Sequence, residues 1–326
     1  MDITRLLRRD LRELRPYEAV QSPEAMAEIA GVPPERIIKL NGNENPYGPS
    51  PRVQEALGRY GSYHIYPDAQ QRVMRKALEE YAGVPADHIL VGAGADELID
   101  LVLRATLQPR EGVIDCPPTF GMYAFSTQVN GGRLVSVPRD REHQVDLPGV
   151  KKAIGPRTKA IFLTSPNNPT GNLVPEEMVL SLLEKEVLVV VDEAYFEFAG
   201  QTVAPLVASH PNLVVLRTLS KWAGLAGLRL GYGIMDPFLQ QRLMEIKQPY
   251  NISAAGEVAL LTSLGELPYL RHNVEAIIEE RERLFSRLER IPGLRPWPSR
   301  GNYILFDMTP GKAPHVYQEL ARRGIF

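Results

Sequence analysis

The sequence predicts an α/β fold whose large domain, residues 46–265, is built on a mostly parallel central sheet. Two observations predict it. Short, wholly apolar runs such as 187–191 and 213–216 recur along the chain, and stretches with helical spacing separate them. Strands covered by helices on both faces are buried on both sides, and they are therefore apolar throughout instead of alternating. We accordingly expect helices on both faces of one sheet.

The first predicted element of this domain is a helix that precedes the strands. Asp68 is expected to be its N-cap, Val73, Ala77 and Tyr81 repeat at the spacing of one helix face, and Gly83 ends it. The predicted strands then follow in order at 88–91, 112–114, 133–137, 159–163, 187–191 and 213–216. Apolar residues from Leu98 to Ala105 fall at helical spacing after the first strand.

Residues 1–45 are predicted to form an N-terminal arm and part of a smaller α+β domain. Within them, the leucines and arginines of 1–17 favour a short amphipathic surface helix, with Leu6, Leu7, Leu11 and Leu14 on its apolar side. The stretch 16–52 is dense in Pro, Gly and Asn, which is typical of extended loops.

The rest of the smaller domain is expected from residues 266–326. A long apolar stripe predicts a linking helix over about 270–290, and a strand at 303–306 and a helix at 314–323 follow it. A further strand begins at 325, one residue before the last. We therefore expect the natural chain to continue beyond this point.

Composition excludes several classes of protein. The 326 residues carry 37 Lys and Arg against 39 Asp and Glu, a formal net charge of −2, and nucleic-acid-binding proteins usually show a basic excess. The longest aliphatic run, 187–191, is far shorter than the roughly 20 residues that span a bilayer. A single cysteine, Cys116, allows no internal disulfide. We expect a cytoplasmic protein that binds neither nucleic acid nor membrane.

Polar residues follow four of the predicted strands. A glycine-rich turn, 92–97, leads from the first strand into a helix, where free backbone N–H groups favour an anion. Asn168 follows the fourth strand, Asp192 and Tyr195 follow the fifth, and Lys221 follows the sixth. Because ligands of parallel sheets bind at the carboxyl ends of strands, these groups should meet in one crevice.

One cofactor requires this combination of groups. Pyridoxal phosphate needs a lysine for a Schiff base, a carboxylate that keeps its ring nitrogen protonated, anion donors for its phosphate, and a hydrogen-bond donor at its ring oxygen. Each residue alone has an ordinary explanation: a solvated lysine, a helix cap or a simple turn. Their joint occurrence at four strand ends favours the cofactor site.

The motifs at 167–171, 192–195 and 218–221, with 227–232 after them, resemble the fold-type I, pyridoxal-phosphate-dependent aminotransferases. Within that family the chain is most similar to the histidinol-phosphate aminotransferases, through the segments 15–17, 40–48, 66–68, 94–97 and 117–123. The resemblance implies a homodimer with shared active sites. It also implies transfer of the amino group of L-histidinol phosphate to 2-oxoglutarate in histidine biosynthesis.

The resemblance also implies a role for each residue of the site. Lys221 would carry the cofactor and move the proton, Asp192 would pair with the ring nitrogen, and Tyr195 would bind the ring oxygen together with Asn168. Phe120 would stack on the ring. The phosphate would be bound by Ala95, Asp96, Thr218, Ser220, Arg229 and, from the neighbouring subunit, Tyr66. Tyr17, Asn43 and Tyr250 would lie on the substrate side, Tyr250 at the dimer interface. No metal ligand is expected.

Two positions depart from the family pattern. Trp222 follows the lysine where the wider family usually has a small residue, which we interpret as a variation within a subgroup. The family's C-terminal arginines, which bind the substrate carboxylate and phosphate, would lie beyond Phe326.

Other functions remain open. Relatives within the fold act on aromatic or several amino acids, or decarboxylate threonine phosphate, and share some of these segments. Gly92-x-Gly94 with Asp115 about twenty residues on partly matches a dinucleotide fingerprint, but Glu97 stands at the third glycine position. A ligand-sensing module of a regulator on the same fold is a further alternative. Zinc is disfavoured, because the six histidines show no paired spacing.

Overall fold

A seven-stranded sheet forms the centre of the molecule in the computed structural model, which describes residues 3–12 and 14–326. The strands are β1 (Ile89–Gly92), β2 (Gly112–Asp115), β3 (Arg133–Ser136), β4 (Thr158–Thr164), β5 (Leu188–Asp192), β6 (Leu213–Thr218) and β7 (Gly231–Ile234). Their order across the sheet is β1-β7-β6-β5-β4-β2-β3. β7 runs antiparallel to both β1 and β6, and the other six strands point the same way. The predicted mostly parallel sheet is confirmed.

Helices cover both faces of this sheet. In β5, Val189 and Val191 belong to one buried apolar cluster and Val190 to another, because successive side chains of a strand point to opposite faces. Helices α4 (Gly94–Thr106), α5 (Met122–Val129) and α9 (Pro237–Ile246) pack on the face of Val190. The opposite face is covered by α3 (Arg72–Ala82), α7 (Glu176–Leu183), α10 (Ala254–Leu264) and α11 (Leu267–Leu288).

All six predicted strands are present within two residues of their expected bounds, but β7 was not predicted. Its two glycines do not indicate a strand, because glycine is depleted in strands. They are needed for close packing: a Cβ at Gly231 would lie 2.6 Å from the backbone nitrogen of Ala95, at the start of α4. Strand β7 therefore brings the chain against the helix N-terminus that lines the site described below.

The amino-terminal predictions are partly wrong. The expected amphipathic helix over 1–17 is replaced by two exposed 3-10 turns, Ile3–Leu6 and Arg9–Leu11. Met1, Asp2 and Glu13, which belonged to that prediction, lie outside the described residues.

The expected loop over 16–52 contains α1 (Pro23–Ala30) and leads into α2 (Pro51–Arg59). Ser22 caps α1 by accepting from the backbone N–H of Ala25 at 3.3 Å, and Gly31 ends it in the left-handed region. Both signals are readable in the sequence, but the surrounding prolines obscured them.

The helix expected after Asp68 begins four residues later, at Arg72. The Asp68 carboxylate accepts from the backbone N–H of Arg72 at 3.0 Å, so it still caps the first N–H group of the helix from four residues earlier in the chain. The buried side chains are Met74 and Leu78, whereas Val73 is 56% exposed, so the predicted stripe was wrong at that position. Gly83 ends the helix as expected.

Two further helices lie between strands of the large sheet along the chain: α6 (Leu147–Ala153) between β3 and β4, and α8 (Phe196–Ala199) between β5 and β6. The last helix, α12 (Ala313–Ala321), lies near the carboxyl end of the chain. A two-stranded antiparallel sheet joins β8 (Leu294–Pro296) to β9 (Phe306–Met308). The strand predicted at 303–306 is thus displaced by three residues, and β8 was missed.

Residue Ile325 pairs with Ile38 in a parallel bridge, so the carboxyl end of the chain lies against the segment that follows α1. The boundaries proposed at 45/46 and 265/266 stay predictions. Among the helices described, none is both long and apolar enough to cross a membrane.

Candidate active site

A cavity of about 690 Å³ opens at the carboxyl ends of β4, β5 and β6. Thr164, Asp192 and Thr218, the last residues of those three strands, all line it. The parallel direction of the strands places these ends at one edge of the sheet, as the sequence predicted. The predicted site residues that line this cavity are Tyr17, Asn43, Ala95, Asp96, Phe120, Asn168, Asp192, Tyr195, Thr218, Ser220, Lys221 and Arg229.

Asp192 lies at the base of the cavity and is only 3% exposed. Its carboxylate accepts hydrogen bonds from the hydroxyl of Tyr123 at 2.7 Å and from the backbone N–H of Ala194 at 3.0 Å. Burial raises the pKa of Asp192 to about 6, although the Tyr123 hydrogen bond opposes that rise. None of the ion pairs in the described part of the chain includes Asp192. It is a buried carboxylate that a cationic group would stabilise.

Lys221 enters the cavity from the loop after β6. Its ammonium donates to the carbonyl oxygen of Gly42 at 2.7 Å and lies 5.9 Å from the centre of the Tyr195 ring. Burial lowers the pKa of Lys221 to about 8, and the charge of Arg229 adds to the effect. The neutral, nucleophilic form of this amine is therefore more populated at neutral pH than it is in an ordinary lysine.

Tyr195 is held by two amide side chains. Its hydroxyl accepts from Nδ2 of Asn43 at 3.1 Å and from Nδ2 of Asn168 at 3.4 Å. Burial raises the pKa of Tyr195 above its ordinary value, so the phenol keeps its proton. Because both amides donate to it, the phenol proton is free to donate to a ligand oxygen.

A further group of residues lining the cavity favours an anion. Ala95 and Asp96 lie in the first turn of α4, where unpaired backbone N–H groups face outward. The hydroxyls of Thr218 and Ser220 hydrogen-bond to each other at 3.0 Å. Arg229 reaches the same place and forms an ion pair with Asp96 at 2.6 Å. Hydroxyls, a guanidinium and a helix start are a donor set suited to phosphate.

The position of the Arg229 side chain also accounts for the glycine at position 94. A Cβ on Gly94 would lie 2.6 Å from Nη2 of Arg229, so a larger residue there would displace the guanidinium from its position at the start of α4. Gly94 has a φ of 79°, which favours glycine in addition.

Three residues of the site were not assigned a role from sequence. Tyr123 supports Asp192 from below and packs edge-on against Phe120, with ring centres 5.6 Å apart. Asn167 is fully buried and donates to the carbonyl of Pro118 at 3.0 Å, which fixes the turn that carries Asn168. Tyr303, from the carboxyl-terminal part, donates to the carbonyl of Asn167 at 2.7 Å. Only Tyr123 and Asn167 lie within motifs that the sequence singled out.

Tyr66 and Tyr250 do not line the cavity. Their rings stack on each other with centres 4.3 Å apart, and they are 76% and 47% exposed. Tyr17 does line the cavity and packs edge-on against Phe120.

The dinucleotide alternative is wrong. Its fingerprint requires the acidic residue to end a strand next to the glycine-rich turn. Asp115 ends β2, which four strands separate from β1 in the sheet, and its carboxylate accepts from Ser136. Glu97 instead accepts from the backbone N–H of Ala93 at 2.6 Å.

The donor set fits pyridoxal phosphate. Asp192, buried without a cationic partner, matches a protonated ring nitrogen, and the amine of Lys221 stands in the same cavity. The cluster at the start of α4 matches the phosphate. In the described residues, no group of His, Cys, Asp and Glu could hold a metal ion.

Comparison with known proteins agrees with this chemistry. The family described as aminotransferase class I and II matches residues 35–326. The histidinol-phosphate aminotransferase of Roseiflexus castenholzii is 48% identical to this chain, in an alignment that covers 99% of this chain and 90% of the relative. That of Dehalococcoides mccartyi is 45% identical, and the alignment covers 99% of this chain and 89% of the relative. The crystal structure of histidinol-phosphate aminotransferase from Sinorhizobium meliloti in complex with pyridoxal-5'-phosphate superposes with a TM-score of 0.89 at 27% identity, covering 98% of this chain and 88% of that one.

Proposed function

The chain belongs to the class I and II aminotransferases, and on that premise we propose that it transfers the amino group of L-histidinol phosphate to 2-oxoglutarate. The products are imidazole-acetol phosphate and L-glutamate, a step of histidine biosynthesis, and the cofactor is pyridoxal phosphate. Relatives that carry this activity in their names and align with nearly the whole chain support the substrate. The observation that carries the proposal is the meeting of Lys221 and Asp192 in one cavity.

The same cavity supports a specific arrangement of the cofactor. Lys221 would hold it, Asp192 would face its ring nitrogen, and the phenol of Tyr195 with the amide of Asn168 would face its ring oxygen. Phe120 would pack on the ring. The phosphate would be bound at the start of α4 by the donors of Ala95, Asp96, Thr218, Ser220 and Arg229.

Bound pyridoxal phosphate supplies an aldehyde that condenses with amines and a ring that withdraws electrons from the adjoining carbon. The residues around it manage protons and charge. The neutral amine of Lys221 takes the proton from the substrate Cα as a general base, and a pKa near 8 suits it to work at neutral pH. Asp192 would stabilise a proton on the ring nitrogen through a charge-assisted hydrogen bond.

We propose further that the enzyme is a homodimer and acts in the cytoplasm. The stacked pair of Tyr66 and Tyr250 supports the dimer, because two aromatic rings this exposed suit a subunit interface. In that assembly Tyr66 would complete the phosphate site of the neighbouring subunit and Tyr250 would lie at the interface. Tyr17 and Asn43 would face the substrate.

A panel of amino donors tests the substrate. With 2-oxoglutarate as acceptor, we expect histidinol phosphate to give a kcat/KM well above those of phenylalanine, tyrosine and aspartate, measured by glutamate formation. Histidinol phosphate and its unphosphorylated analogue, histidinol, form a matched pair of donors that differ only in the phosphate. Equal rates on phenylalanine with none on histidinol phosphate would instead support the aromatic aminotransferase alternative.

Replacing Arg229 by glutamine should weaken cofactor binding by about 10- to 100-fold, because a charged hydrogen bond contributes about 1.5–3 kcal/mol. The change removes the cation that Asp96 holds beside the start of α4. The dissociation constant can be measured by titrating the cofactor-free protein with pyridoxal phosphate and following tryptophan fluorescence. Titration with pyridoxal, which has no phosphate, is the control and should change little. An unaltered affinity for the phosphorylated form would contradict the assignment.

A further inference from the structure

Trp222 directly follows Lys221, and the two side chains leave the loop on opposite sides. Lys221 lines the cavity at the strand ends, whereas Trp222 lines a second cavity of about 430 Å³ behind the loop. The indole is 2% exposed and stacks on the ring of Tyr81 in α3, with ring centres 5.3 Å apart and planes 11° from parallel. The residue that departs from the family pattern is thus buried against a fixed helix.

The backbone of this loop is held from its other side by one segment, residues 42–49. Asn45 donates from Nδ2 to the carbonyl oxygen of Trp222 at 2.9 Å. Gly224, with a φ of 68°, packs so closely on Gly48 that a Cβ there would collide with its carbonyl group. The Lys221 ammonium donates to Gly42 in the same segment. The loop is therefore held on one side by this segment and on the other by the stacking of its Trp222 on α3.

Tyr81 connects the indole to the strand that carries Asp192. Its hydroxyl donates to Oε1 of Glu197 at 3.1 Å, and Glu197 lies in α8, which begins directly after Tyr195. The guanidinium of Arg217 lies 3.6 Å from the ring centre of Phe196 in the same helix.

Arg217 also donates to Glu193 at 3.0 Å, and Glu193 is the residue after Asp192. Both side chains of this ion pair are almost completely buried. A series of contacts therefore joins the residue that follows the lysine to the residue that follows the aspartate. It runs from Trp222 to Tyr81, from Tyr81 to Glu197 in α8, and from the neighbouring Phe196 of that helix through Arg217 to Glu193.

We propose that Trp222 is a positioning residue for the Lys221 amine: its stack on Tyr81 fixes the lysine loop relative to the strand end that carries Asp192. The inference rests on the proposed function, since it concerns the amine assigned there to hold the cofactor. The indole acts through its shape. Its Nε1 donates no hydrogen bond to any described residue, so a phenylalanine ring in its place should retain most of the effect.

Three variants separate positioning from general packing. Trp222→Ala removes the stack, Trp222→Phe keeps an aromatic ring, and Leu243→Ala removes a buried apolar side chain from α9, on the opposite face of the sheet. The first readout uses the cofactor-free protein. An amine-reactive acylating reagent is applied over a range of pH, and the modification of Lys221 is quantified by mass spectrometry.

We expect Trp222→Ala to raise the pH midpoint of Lys221 modification, because a loosened loop admits water around the amine. Trp222→Phe and Leu243→Ala should keep the wild-type midpoint. In the loaded enzyme, Trp222→Ala should lower kcat by roughly 100-fold with little change in KM, as a misplaced catalytic group does. A midpoint and a kcat that stay at the Leu243→Ala values would overturn the proposal.

The two readouts also separate this inference from the proposed function. If the wild-type protein transaminates no donor, the proposed function fails, yet the labelling midpoints still decide whether Trp222 positions the amine. If Trp222→Ala does not fold, Tyr81→Leu removes the other half of the stack and serves the same comparison. An unshifted midpoint in Tyr81→Leu would equally overturn the proposal.

Discussion

Lys221→Ala should abolish transamination, with a loss of at least about 10⁴-fold in kcat, because the lysine is both the attachment point and the general acid–base group. The amine is the one described lysine that lines the cavity, so no described neighbour can replace it. Turnover is measured with the best donor of the panel and 2-oxoglutarate, at saturating cofactor.

Two control variants make this result specific. Lys312→Ala removes an exposed lysine far along the chain, just before α12, and should leave kcat unchanged. Lys221→Arg keeps the positive charge but not a neutral amine, since guanidinium groups stay protonated, and it should be as inactive as the alanine variant. Near-normal turnover in either Lys221 variant would refute the role given to this residue.

The site was more predictable from the sequence than the periphery of the fold. Asp192 ends a buried strand, and Asn168 and Lys221 come shortly after two others. The apolar character of these strands is visible in the sequence, and parallel strands bring such ends together. The pattern of apolar runs followed by polar residues was therefore enough to predict that these side chains meet. In contrast, β7 could not be identified from local propensity, because the need for its Gly231 becomes visible only once the start of α4 is placed against it.

Other features depend on contacts between distant parts of the chain. The Lys221 ammonium meets the carbonyl of Gly42, which is 179 positions earlier. The hydroxyl of Tyr123 reaches Asp192 across 69 positions. No spacing rule applies over such separations. From the sequence alone, a tyrosine inside α5 is interpreted as an ordinary core residue, because its contact with β5 is not visible. The role of Tyr123 thus required the structure.

Asp192→Asn should lower kcat by roughly 10²–10³-fold, the range for losing one preorganised electrostatic contact in an active site. An amide cannot stabilise a protonated ring nitrogen as a carboxylate does. The variant should fold, since the amide can donate to the oxygen of Tyr123 while that hydroxyl donates to Thr164, 2.8 Å away. Absorbance spectra of the loaded protein should show a shifted protonation midpoint for the bound ring.

The same change should stabilise the cofactor-free protein. Burial raises the pKa of Asp192 to about 6 in the folded state, above the value near 3.8 of an unfolded chain. The folded state therefore binds the proton more tightly, and stability falls as the pH rises between these two values. Above pH 6 the unpaired carboxylate destabilises the fold by about 3 kcal/mol, at 1.36 kcal/mol per pKa unit. Asparagine does not titrate, so this loss disappears.

We expect urea unfolding of the cofactor-free variant to give a higher free energy than wild type at pH 7 and the same free energy at about pH 3.5. All other groups titrate in both proteins, so their contributions cancel in the difference. Differences that stay constant over this pH range would contradict a raised pKa for Asp192. A gain in stability together with a loss of turnover would mean that the buried charge is kept for the cofactor: it destabilises the empty protein because it is placed to stabilise a bound cation.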